Sequence, residues 1–126
     1  LQDVVRFHGL KTKPEVAEFM RKADVFVLPS EWENLPCVII EAMTSGLPIV
    51  ATSVGGIPEM VDDKMGLLVP PRDSEKLMQA LHHMLDTVLK HHPGGSIAAR
   101  ARARYSYESV GEKLTELYWS LRENID

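Results

Sequence analysis

At 126 residues, with 44% hydrophobic and 25% charged side chains, the chain has the balance of one globular domain. It is large enough to bury a core without a disulfide or structural metal. A formal net charge of -4 disfavours polyanion partners, so no nucleic acid is expected. The single cysteine, Cys37, cannot pair within the chain, no secretory signal is visible, and the apolar runs are far shorter than the ~20 residues that span a bilayer; a reducing, cytoplasmic setting follows as the expectation.

The chain opens on Leu1 and enters a β-branched run, Val4-Val5-Arg6-Phe7, almost at once, as expected of a fragment. Gly9 follows that run and reads either as a turn residue with unusual dihedrals or as a strand-end glycine. Further strands are expected over residues 24–28, 48–52 and 66–69, with helices over 14–22, 37–45 and 58–61 between them. Pro14 and Pro58 suit the first helical turn, where a missing N–H costs nothing. Beyond Val69 the pattern is helical only. Asp73 is a candidate N-cap for a helix with Leu77, Leu81, Met84, Leu85 and Val88 on one face. His91-His92-Pro93-Gly94-Gly95 breaks it, a second helix starts near Ser96, and a third starts near Tyr107 with Val110, Leu114, Leu117, Tyr118 and Leu121 as its apolar face. Arg100, Arg102 and Arg104, at a spacing of two, fan around a helix and read as solvated surface. The fold class expected is α/β: a Rossmann-like parallel sheet of about four strands, flanking helices and a helical C-terminal tail.

Open parallel sheets bind ligands outside the carboxyl ends of their strands. The segment after the second expected strand, Pro29-Ser30-Glu31-Trp32-Glu33-Asn34-Leu35-Pro36, leads into the helix Cys37-Val38-Ile39-Ile40-Glu41-Ala42-Met43. It carries two carboxylates, Glu33 and Glu41, with seven residues between them. The helix start at Cys37 and Val38 falls between the two and is a natural seat for phosphate. One acid for sugar hydroxyls, a helix end for a diphosphate and one acid for ribose hydroxyls would suit a nucleotide sugar, because an ionised carboxylate only accepts and can take two neighbouring O–H donors. The pattern alone also fits Glu41 as a plain surface position on an amphipathic helix. Trp32 reads either as packing or as a surface for a base or sugar, and Gly55-Gly56 either as a flexible turn or as a place where backbone approaches a ligand. His82-His83 and His91-His92 lack partners at metal-ligand spacing, so no metal is expected. Cys37 has no neighbouring histidine to make it a nucleophile. The early glycine cluster of a nicotinamide enzyme is absent.

Residues 29–46, then Pro48-Ile49-Val50-Ala51-Thr52 and Gly55-Gly56-Ile57-Pro58-Glu59, resemble the donor-binding signature of group 1, or family four, retaining glycosyltransferases. The shared pattern is a proline-serine after a strand, a glutamate before a three-residue turn, a second glutamate in Glu-Ala-Met, a Gly-x-Pro-Val-like strand and a Gly-Gly-x-x-Glu loop. The likeness continues through Gly66-Leu67-Leu68-Val69-Pro70 and Asp73 to Tyr105-Ser106-Tyr107-Glu108. It implies that residues 1–126 are part of the C-terminal nucleotide-sugar-binding domain of a GT-B-fold enzyme whose N-terminal acceptor domain is missing. It further implies transfer of a sugar from a nucleotide-diphosphate sugar with retained configuration, and no cofactor or obligatory metal. Glu33 would be catalytic and hold the donor sugar, with Asn34, Leu35 and Pro36 lining the sugar pocket. Cys37 and Val38 would offer backbone N–H groups to phosphate, and Glu41 would hold the ribose. The family's turn often reads Gly-Phe-Gly or Gly-Phe-Pro, and Asn34-Leu35-Pro36 departs from it, which bears on the identity of the sugar. The diphosphate-clamping arginine and lysine of the family precede the first strand seen here, and any peripheral membrane contact, at the cytoplasmic face, would come through the missing domain. The alternatives are a nucleotide-sugar epimerase of the same fold, a degenerate nucleotide-sugar-binding domain, and a receiver-like domain, the last lacking its acidic cluster at His8-Gly9-Leu10.

Overall fold

A computed structural model describes residues 4–91 and 93–123, without the side chains of Leu89 and Glu123. Three strands, β1 (Phe26–Leu28), β2 (Ile49–Thr52) and β3 (Gly66–Val69), form a parallel sheet in the order β1-β2-β3. Phe26 pairs with Ile49 and Leu28 with Ala51, while Thr52 pairs with Val69, so the three strands end almost level. The helices are α1 (Lys13–Lys22), α2 (Cys37–Thr44), α3 (Ile57–Met60), α4 (Ser74–His91), α5 (Gly94–Tyr105) and α6 (Tyr107–Glu123).

The fourth expected strand does not form. Residues 4–7 have the β-branched composition of a strand but pair with no strand among the described residues, and Phe7 is 95% exposed. Composition supplies the propensity for extended backbone, whereas a strand also needs an edge to pair with, and the only pairings β1 makes among the described residues are with β2.

The central strand is buried along its whole length, and its alternation divides the core. Ile49 and Ala51 face a cluster with Ile39, Ala42 and Met43 of α2, Ile57 and Met60 of α3, and Ile97 and Ala101 of α5. Val50 faces the opposite way, into a cluster with Ala80 and Met84 of α4. The result is a sheet sandwiched between α4 on one face and the remaining core helices on the other. Asp73 caps α4 as expected, accepting from the Lys76 backbone N–H at 2.9 Å. Of the face expected on that helix, Leu77, Leu81, Met84 and Val88 pack inward, while Leu85 is left 44% exposed. The Gly94-Gly95 pair lies inside the first turn of α5 and does not precede it. Gly46, at φ 87°, lies so close to Gly94 that a Cβ on either would sit about 3 Å from the other's carbonyl oxygen, which seats α5 against the end of α2.

The last helix forms where its period predicts, but its apolar face is not buried: Leu114, Leu117, Tyr118 and Leu121 are each at least half exposed. Arg104 does more than face solvent, since its guanidinium donates to the Glu59 carbonyl of α3, while Arg100 and Arg102 are exposed.

Helix α1 starts on a local switch. Glu15 Oε2 accepts from both the backbone N–H and the hydroxyl of Thr12, at 2.9 and 2.8 Å. The backbone bond from Thr12 is the main reason that the Glu15 carboxyl titrates below its ordinary value of 4.5. A lowered folded-state value means stability that is present above the ordinary carboxylate range and is lost as pH falls through it. Glu15→Gln should therefore destabilise this chain in urea melts at neutral pH, and the gap from the unaltered chain should close at acid pH. A gap that persists unchanged at acid pH would show that the carboxylate's charge contributes nothing.

Candidate functional site

The loop over residues 29–36 leaves the carboxyl end of β1 and delivers the chain to α2. It carries the first carboxylate, and it is held from several sides. The Thr52 hydroxyl, at the end of β2, donates to the Ser30 carbonyl. The Ser30 hydroxyl donates in turn to Glu33 Oε1 at 2.7 Å, which fixes the half-buried carboxylate from below. Gly56 N–H donates to the Asn34 carbonyl at 2.7 Å.

That last contact explains the paired glycines. A Cβ on Gly55, which sits at φ 53°, would lie 1.9 Å from the Glu33 carbonyl oxygen, and one on Gly56 would lie 2.7 Å from the Asn34 carbonyl oxygen. Both positions must be glycine for the loop after β2 to meet the loop after β1, so the close approach is of backbone to backbone within the chain. Gly9 differs: it has φ 64° but nothing within 4 Å, and it is a turn residue.

Helix α2 begins without a side-chain cap, Pro36 standing at the N-cap position. The N–H groups of Cys37 and Val38 are in the first turn and have no carbonyl one turn back within the helix. Cys37 is exposed, and Val38 is half-buried against the core. One turn on, Glu41 is exposed and borders a groove of about 330 Å³ between α1 and α2, across from Lys11 and Lys13. Glu33 does not line that groove. The helix start thus stands in sequence between the two glutamates, one on the loop and one at the groove. Trp32, between Glu31 and Glu33, is 88% exposed, so the packing role is not met within this chain.

A second cleft, of about 210 Å³, lies at the carboxyl ends of the strands and is lined by Thr52, Val69 and Ser74 among others. At its rim the Arg72 guanidinium meets Glu31 Oε2 at 2.7 Å. Arg72 has φ 60°, the left-handed region that costs a residue with a side chain about 1 kcal/mol or more. Sequence reading missed Ser30, Thr52, Glu31 and Arg72. The Ser30–Glu33 spacing of three carried a usable signal, since short polar side chains reach that far in loops. The Arg72–Glu31 pair, separated by 41 positions, carried none.

Among the described residues no three His, Cys, Asp or Glu side chains gather as metal ligands would, and no helix is long and apolar enough to cross a membrane. The two glycine environments give a direct comparison. Gly55→Ala should cost this chain about 2 kcal/mol or more in urea unfolding, from both strain and clash, whereas Gly9→Ala should cost about 1 kcal/mol from strain alone. Equal costs would contradict the loop-to-loop contact.

With this geometry in view, the likenesses to known proteins become interpretable. A family model described as "Glycosyl transferases group 1" matches residues 1–87. The chain is 38% identical over 118 residues to a D-inositol 3-phosphate glycosyltransferase of Corynebacterium urealyticum, covering 93% of this chain and 28% of that protein. Its fold is similar to sucrose-phosphate synthase from Thermosynechococcus elongatus, with a TM-score of 0.82 and 33% identity over 97% of this chain and 31% of that one. It is also similar to Anabaena HepE in complex with UDP, with a TM-score of 0.74 and 28% identity over 95% of this chain and 33% of that one. The chain thus spans about a third or less of the length of these proteins. The expectations of an open α/β sheet of GT-B type and of a glycosyltransferase relationship hold, and the chain belongs to the group 1 glycosyl transferases.

Proposed function

We propose that this chain is the donor-binding part of a retaining transferase that moves a sugar from a nucleotide-diphosphate sugar to an acceptor. The observation that carries the reading is the order and support of three features. They are a half-buried carboxylate on a braced loop at the sheet's carboxyl end, the uncapped start of α2, and an exposed carboxylate one turn further on at a groove. A likeness to a protein solved with UDP supports a nucleoside diphosphate as the ligand.

In this reading Glu41 takes the ribose hydroxyls, and the groove beside it has the room for the nucleoside. The N–H groups of Cys37 and Val38 take phosphate oxygens, where the helix dipole adds to the hydrogen bonds. Glu33 takes hydroxyls of the donor sugar, with Asn34, Leu35 and Pro36 shaping the pocket around it. As the bond to phosphate breaks, positive charge develops on the sugar ring and negative charge on the departing diphosphate. Glu33 faces the first and the start of α2 the second, and neither needs to move, because the loop is fastened before the donor arrives. The reading asks for no cofactor.

The remaining two thirds or so of such a protein would supply the acceptor domain and the basic residues that clamp the diphosphate. The unburied face of α6 supports a further domain packing there, since Leu114, Leu117 and Leu121 are all about half exposed. The setting proposed is cytoplasmic, with contact to a membrane's cytoplasmic face left to the missing domain. This chain alone should not turn over.

The test uses the complete protein with UDP- and GDP-sugars, titration calorimetry of the free diphosphates, and steady-state kinetics. Glu41→Ala should weaken free-nucleotide binding by roughly ten- to a hundredfold, since charged hydrogen bonds contribute about 1.5 to 3 kcal/mol each. Glu33→Gln should leave that affinity near normal and lower kcat, because it removes charge facing a developing cation. The opposite pattern reverses the two roles, and no change in either variant returns Glu41 to a plain surface position.

A further inference from the structure

Within the acid loop, the Glu31 side chain reaches furthest along the sequence, accepting from Arg72 Nη2 at 2.7 Å across 41 positions. Arg72 sits between β3 and α4 and is the one non-glycine residue at positive φ among the described residues. Glycine would occupy that turn without strain, and Arg72 gains little locally for the strain it bears: its partner is 54% exposed and its own side chain 74%, the range in which ion pairs are weak. Local stability therefore does not account for an arginine here. What the side chain accomplishes is a link between the loops that leave β1 and β3, the two outer strands, across the cleft that Thr52 lines.

We propose that Arg72 is a positioning residue: through Glu31 it pins the front half of the acid loop, and so sets how Glu33, two residues further on, meets the donor sugar. The back half already has its own anchor at Gly55 and Gly56. Between the two lies Trp32, whose side chain is 88% exposed. Without the ion pair, the front half keeps the Thr52 and Ser30 hydrogen bonds but loses its tie to β3. For its catalytic consequence the proposal rests on the transferase reading above; for the pinning itself it does not.

Two readouts on the complete protein separate these parts, with Arg72→Gly, Arg72→Lys, Glu31→Gln and the charge exchange Glu31→Arg with Arg72→Glu. Arg72→Gly also removes strain, so loss of folding is not the expected outcome. Backbone NMR order parameters of the amides from Glu31 to Leu35 should fall in Arg72→Gly and Glu31→Gln from the rigid range of about 0.85 toward about 0.6, less in Arg72→Lys, and recover in the exchanged pair, with β2 and α2 unaffected. In the unaltered protein the same amides should loosen between about 0.01 M and 1 M salt, as the screening length falls from about 30 to 3 Å, and Arg72→Gly should not respond. With the UDP- or GDP-sugar that turns over, kcat should fall by about tenfold in Arg72→Gly while affinity for the free diphosphate stays within about twofold. Unchanged order parameters in Arg72→Gly overturn the pinning. A fall in the order parameters with an unchanged kcat overturns the positioning role and leaves the transferase reading intact. Absence of turnover by the unaltered protein overturns that reading and the catalytic half of the proposal with it, while the order parameters still decide whether Arg72 pins the loop.

Discussion

The contact on which the site depends is the close approach of two loops at Gly55 and Gly56. Gly55 and Gly56 lie against the carbonyls of Glu33 and Asn34 at distances that exclude a Cβ. The loops belong to neighbouring parallel strands, whose ends are level because of their register. Sheet pairing therefore sets the spacing, and the glycines let that spacing be filled by backbone and by the Leu35 side chain. A loop of this kind would otherwise be the most mobile part of an α/β domain.

The same economy appears at α2. Its buried side, with Ile39, Ala42 and Met43 fully inside, anchors the helix against the sheet and fixes its axis. Its first turn can then be left without a side-chain cap, an arrangement that a free helix would resist and a packed one tolerates. Tertiary burial thus leaves donor groups open at the point where the proposed reading has a use for them.

Much of this was legible in advance because it depends on period and punctuation. The strands over Phe26–Leu28, Ile49–Thr52 and Gly66–Val69, and the Asp73 cap, follow from short-range pattern. Residues 4–7 failed because strand propensity does not create a pairing partner, and Leu85 and the α6 face failed because an apolar stripe says that burial is wanted without saying that this chain provides it. The order of Glu33, the helix start and Glu41 could be read, as could the presence of two glycines. What could not be read was that the glycines serve the acid loop, since that depends on a distance of 1.9 Å between a hypothetical atom and a carbonyl 22 positions earlier in the chain. The Glu31–Arg72 pair is beyond sequence reading for the same reason, being a product of strand order.

A loop held chiefly through main-chain atoms has a particular freedom over evolutionary time. The carbonyls of Ser30, Glu33 and Asn34 are present whatever side chains those positions carry, so the path of the loop does not depend on most of its own residues. In the proposed reading, Asn34 and Pro36 can therefore be exchanged to reshape the pocket while the frame stays in place. Drift is blocked instead at the glycines, which touch no ligand in this scheme. On that reading the fold separates the residues that would choose a substrate from those that keep the scaffold, and a new specificity could arise without first passing through a disordered site.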